Sequence, residues 1–104
     1  MGGYADIPLK DDQKNLIKQA VGRKCEYCKK IRIFRNLNLH HIIRQADGGR
    51  NNYGNLIVLC ENMDDNCHDN ADHGCISKGK LRDIISRRPK RVRAEIIEIL
   101  KGDY

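Results

Sequence analysis

Four cysteines constrain this chain more than any other feature. Cys25 and Cys28 form a Cys-x-x-Cys pair, and Cys60 and Cys67 follow after a long interval. Four thiolates complete a closed tetrahedral zinc site, which is structural because no position stays open for water. Such a site would tie the end of a first helix to the segment after the apolar run "LIVLC" at 56–60. The gap between Cys60 and Cys67 is longer than the usual spacing of about two to four residues. Its extra residues, "NMDD" at 62–65, are expected to bulge outward and leave the residue after Cys67 in place. Cys75 competes for the fourth position. Buried, reduced cysteines without metal are the alternative reading.

A staple of this kind answers a need. The chain has 104 residues, read as one domain over 1–104, with 39% hydrophobic residues, one Phe and no Trp. Small domains bury a lower fraction of their surface and lean on metals or disulfides. Structural zinc contributes roughly 10–16 kcal/mol in small zinc peptides. The start, "MGGYADIPLKDD", lacks the basic-then-apolar plan of a signal peptide, and no apolar run is long enough to span a membrane. The expected location is therefore the cytoplasm, where clustered cysteines serve metals more often than disulfides.

The patterning predicts an α+β fold. A helix runs from a cap at Asp11 or Asp12 to about Val21, with Leu16, Ile17, Ala20 and Val21 on one side and Gly22 ending it. "LNLHHII" at 37–43 reads as a strand, and "RQADGGRNNYGN" at 44–55 as a loop. "LIVLC" is too short to separate a strand from a buried helical turn. Residues 67–73 suggest one or two helical turns, and helices follow at about 79–88 and 89–101. Pro89 fits the first turn of the last helix. Val92, Ile96, Ile97 and Leu100 form its apolar stripe, a core contact or a dimer face.

Charge is unevenly placed. Residues 23–50 carry eight Lys/Arg against two acids, residues 78–101 carry nine against three, and residues 61–72 hold five acids and no base. Basic runs can be solvated helix faces. Flanking an acidic, histidine-bearing segment, they point instead to a polyanionic partner and a divalent cation. All four histidines, His40, His41, His68 and His73, lie in mid-chain near Asp69 and Asp72. In a strand, the adjacent His40 and His41 face opposite sides.

The order "LNLHHIIRQADGG", "GNLIVLC", "CH" over about residues 25–74 resembles the HNH endonuclease family, in its branch with a four-cysteine zinc knuckle. The resemblance implies a small ββα-metal finger, here flanked by an N-terminal helix and a basic helical C-terminal extension at about 78–101. It implies that His40 and His68 are metal ligands, that His41 is the general base, and that Asn55 holds the loop. Asn52 is the weaker choice for the Asn, lacking the apolar run after it. The family often has a further histidine four residues after the closing one. Here that position is Asp72, and His73 comes one later, so the third ligand is Asp72 or His73. A carboxylate ligand shifts preference to Mg²⁺ or Mn²⁺, a third imidazole to Zn²⁺, Ni²⁺ or Co²⁺.

The implied substrate is double-stranded DNA, entered at the minor groove. Lys29, Lys30, Arg32, Arg35, Arg44 and Arg50 flank the active segment as phosphate contacts, and Arg82, Arg87, Arg88, Lys90, Arg91 and Arg93 extend them. Aromatic residues make up 5%, which disfavours stacking on single strands. One catalytic centre would nick as a monomer; a double-strand cut needs a homodimer or two visits. A packaging or restriction partner fits the same small format. Two other readings are a non-catalytic zinc-finger DNA-binding module and an RNA-directed or toxin nuclease of the same fold.

Overall fold

The computed structural model describes residues 8–61 and 66–101, so the "NMDD" insert lies outside the described residues. Helix α1 spans Asp11–Ala20. Its apolar residues recur at helical spacing, and Ile17 and Val21 are buried. The cap is Lys10, whose N–H donates to Gln13 Oε1 at 2.9 Å. Asp11 and Asp12, the expected caps, sit instead in the first turn, where negative charge favours the helix N-terminus. Gly22 follows at φ +88°, a left-handed conformation open to glycine at little cost.

Strands β1 (Leu37–His41) and β2 (Leu56–Cys60) pair antiparallel, with Leu37 opposite Cys60 and His41 opposite Leu56. All five residues of β2 are buried, so the ambiguous "LIVLC" is a strand covered on both faces, within a two-stranded sheet. β1 stops two residues short of the expected end because its partner changes. Ile42 N–H still reaches Asn55 O at 2.9 Å, but Ile43 N–H turns to the Asn55 side chain at 2.7 Å. The loop between the strands needs its two glycines for different reasons. Gly48 adopts φ +90°, whereas a Cβ on Gly49 would lie 1.7 Å from the Ile43 carbonyl oxygen.

Helix α2 (Cys67–Asp72) packs against β2, and α3 (Lys78–Ser86) starts on a cap in which Ser77 Oγ accepts from Lys80 N–H. Helix α4 (Lys90–Leu100) packs on α1. Gln13, itself buried, donates Nε2 to Ile99 O across that contact at 3.0 Å. Pro89 caps α4 rather than entering its first turn. Most of the expected stripe of α4 belongs to the core: Ile96 is buried and Val92 and Leu100 pack against the same cluster, but Ile97 is outside it and Ile99 is buried instead. Among the described residues, no helix is long and apolar enough to cross a membrane.

The turn between α3 and α4 is locked to the centre. Arg88 donates Nε and Nη2 to the Glu26 carboxylate at 2.8 and 2.6 Å, and Nη2 also reaches Leu56 O at 2.8 Å. Both side chains are buried, 3% and 6% exposed. Arg88 is thus a structural ion-pair residue and not the phosphate contact its basic neighbourhood suggested.

Candidate metal centre

A tight hairpin brings the first cysteine pair together. Cys25 N–H meets Lys30 O, Arg32 N–H meets Arg23 O, and Lys29 N–H folds back to Cys25 O, with Lys29 at φ +69°. The end of β2 supplies Cys60 and the first residue of α2 supplies Cys67. The four sulfurs lie within 4.8 Å of one another, and Cys28 Sγ is 3.8 Å from Cys60 Sγ. Sulfurs bound tetrahedrally at about 2.3 Å sit about 3.8 Å apart, so the set fits zinc. Cys28 N–H also points at Cys25 Sγ at 3.4 Å, a donor suited to a thiolate. Burial pushes the Cys25 and Cys67 thiols up. For Cys28, burial is outweighed by the Lys30 amide and the neighbouring thiols, which pull it down. Crowding of thiols at this depth favours a cation that keeps them ionised. Cys75 is exposed and lies outside the group.

Because the knuckle closes on Cys67, it fixes the next residue, His68. The structure brings His40, His68 and Asp72 together, with ligand atoms within 4.8 Å. Asp72 Oδ1 is 3.7 Å from His40 Nδ1, and its Oδ2 is 3.9 Å from His68 Nδ1. The two imidazoles meet edge to face at 5.3 Å between centroids. His40 is buried, and burial, with nearby His68 reinforcing it, holds its pKa below the usual histidine value despite the opposing pull of Asp72. A neutral imidazole is the form that binds metal. Two imidazoles and a carboxylate suit a divalent ion. His73 is exposed, caps the end of α2 and stays outside the group. Of the two candidate third ligands, Asp72 is the one brought to the cluster, one helical turn from His68.

His41 is absent from that group. Its Nε2 lies 2.7 Å from Asn51 Oδ1, and its side chain lines a separate cleft. Asn55 is buried and holds the loop at three points: Oδ1 accepts from Ile43 N–H, and Nδ2 donates to Ile43 O and Arg50 O at 3.1 and 3.0 Å. Asn52 is exposed.

Two neighbours escaped the sequence reading. Asn51 was one more polar loop residue until the fold set it against His41. Glu61, half-buried, accepts from Asn38 Nδ2 at 3.1 Å and places Oε2 3.7 Å from His68 Nδ1. Its position immediately after Cys60 was the available signal.

Of the basic residues, Lys29, Lys30, Arg35, Arg44 and Arg50 are exposed and Arg32 is half-buried. Arg44 pairs with Asp47 at 3.0 Å. In the C-terminal extension Arg82, Lys90 and Arg91 are exposed, Arg87 pairs with Asp83, and Arg93 stacks over Tyr53.

Residues 25–74 match the family model described as HNH endonuclease. No curated protein and no solved structure matches the chain significantly.

Proposed function

We propose, from the premise that residues 25–74 carry an HNH endonuclease domain, that the chain is a metal-dependent endonuclease cutting phosphodiester bonds in duplex DNA. The observation that carries this reading is the split between neighbours. His40 joins His68 and Asp72, while His41, the next residue, faces the cleft with Asn51. Hydrolysis needs both jobs at one phosphate, and strand alternation supplies them from adjacent positions.

In this reading His41 accepts the proton of the attacking water, as a neutral imidazole does near pH 7. The Asn51 contact favours the tautomer with its proton on Nε2, donated to Asn51 Oδ1. That leaves the Nδ1 lone pair as the base. Asn55 keeps the loop, and with it Asn51, in place through its bonds to Ile43 and Arg50. His40, His68 and Asp72 would hold the divalent ion, and Glu61 adds a carboxylate on the same His68 nitrogen, Nδ1, that faces Asp72. An ion held there supplies positive charge to the scissile phosphate and the departing oxygen. The carboxylate of Asp72 inclines the set to Mg²⁺ or Mn²⁺ over softer ions. The four cysteines would hold zinc in a structural role. With one such centre, a monomer nicks one strand.

The test compares end-labelled duplex DNA with structured RNA in EDTA, Mg²⁺, Mn²⁺ and Ni²⁺. Single-strand cuts in duplex DNA with Mg²⁺ or Mn²⁺, and none in EDTA, are expected. Cutting confined to RNA would overturn the substrate. A folded, zinc-loaded chain that binds duplex DNA and cuts nothing would be a binding module.

A further inference from the structure

The cleft that His41 lines, about 400 Å³ in volume, lies between α1 and β1. One end reaches Glu61, whose carboxylate touches His68 of the metal group. The cleft therefore connects the proposed base to the edge of the proposed ion site. A strand whose phosphate met both would continue into it.

The far wall carries three cations and one acid, Asp11. Lys14 and Lys18, one turn apart on α1, line it together with Arg35. Lys14 is exposed and has no ion-pair partner among the described residues. Lys18 is half-buried, and its ammonium is held by a backbone carbonyl, Phe34 O, at 3.2 Å. The acids nearest Lys18, Glu61 and Asp11, act on it only through space, and neither forms an ion pair with it. Burial pulls its pKa down in spite of them. A cation fixed by a carbonyl and lacking a contacting carboxylate is placed to receive an anion.

We propose that the α1–β1 cleft is a phosphate-binding subsite for the strand being cut, with Lys14 and Lys18 holding a backbone phosphate beside the scissile one. This rests on the nuclease reading. The subsite lies on α1, outside the 25–74 segment, and adds a contact that this helix contributes.

The experiment uses the full zinc-loaded chain as Lys14→Ala, Lys18→Met and the double variant, each checked for melting like wild type. Binding to a labelled DNA duplex is read in the His41→Ala background across a salt series. Cleavage is read on duplexes carrying a single neutral methylphosphonate at successive positions around the cut. The salt slope is expected to fall by about 0.9 in the double variant, for the one phosphate the two lysines share, with part of that fall in each single variant. One methylphosphonate beside the cut should raise KM for wild type and have no further effect in the double variant. If Lys18→Met does not fold, Lys14→Ala, at an exposed position, carries the same comparison alone. An unchanged salt slope, or the same methylphosphonate response in variant and wild type, overturns the subsite while nicking by wild type keeps the nuclease reading. A wild type that neither binds nor cuts duplex DNA overturns both.

Discussion

Replacing Arg88 by Met should unfold this protein far more readily than replacing its neighbour Arg87. The Arg88–Glu26 pair is bidentate and almost wholly buried, and Glu26 Oε1 also accepts from Val58 N–H at 3.0 Å. Without the guanidinium, a carboxylate stays in the core with one amide for company, and Leu56 O loses its side-chain donor. Breaking a buried pair from one side costs about 3–5 kcal/mol. Arg88 Nη1 is itself buried with no hydrogen-bond partner among the described residues, which makes the lower end of that range the better value. At about 4–8 °C per kcal/mol for a domain of this size, 3 kcal/mol is a fall of roughly 12–24 °C in Tm. Arg87 and Asp83 form an exposed pair, 78% and 45% accessible, and Arg87→Met should cost no more than about 0.5 kcal/mol. Glu26→Gln combined with Arg88→Met should recover part of the loss, since a neutral amide is cheaper to bury than an unpaired charge. Thermal and urea unfolding of zinc-loaded protein, followed by circular dichroism, decides. An Arg88→Met protein within about 1 kcal/mol of wild type would refute the argument that this pair is a desolvated lock.

Asn55→Ala removes three bonds from a buried side chain and leaves Ile43 N–H without its acceptor, so it should cost about 2–4 kcal/mol and abolish cutting even below its melting temperature, measured by unfolding and nicking assays. Asn55→Asp keeps the acceptor for Ile43 N–H but buries a carboxylate oxygen against the Ile43 and Arg50 carbonyls, and should cost at least as much as Asn55→Ala. Cys60→Ser should lose the knuckle zinc and most of the fold's stability, while Cys75→Ser should keep a full equivalent by metal analysis, because Cys75 is outside the cluster. Asp72→Ala should abolish Mn²⁺ binding to zinc-loaded protein by calorimetry, whereas His73→Ala should bind as wild type does.

Much of this was legible because the informative residues are locally coded. The Cys-x-x-Cys hairpin, the double histidine and the Asn-Leu start of β2 depend on spacing within a few residues, and each falls where the pattern puts it. What remained open depended on contacts distant in sequence. Helical spacing puts Asp72 on the face of His68, but its selection over His73 rests on α2, packed against β2, setting Asp72 beside His40 of β1. Arg88 looks like its basic neighbours because nothing local indicates that Glu26, far upstream, meets it beside β2. Ile99 was missed in the stripe of α4 because the buried direction follows α1, whose Gln13 reaches Ile99 O. Asn51 shows the same limit, since a polar loop residue is positioned against His41 by Asn55 and the glycine turn.

The proposed division of labour gives His41 the base's duty and its neighbour His40 the metal's. Its most direct test is nicking of supercoiled plasmid by wild type, His41→Ala and His40→Ala, each with its zinc content verified, across EDTA, Mg²⁺, Mn²⁺ and Ni²⁺. Nicking by wild type is expected only with added divalent metal. His41→Ala should bind Mn²⁺ as wild type does yet fail to nick, and His40→Ala should fail at metal binding itself. A folded His41→Ala protein that nicks at the wild-type rate would rule out His41 as the base.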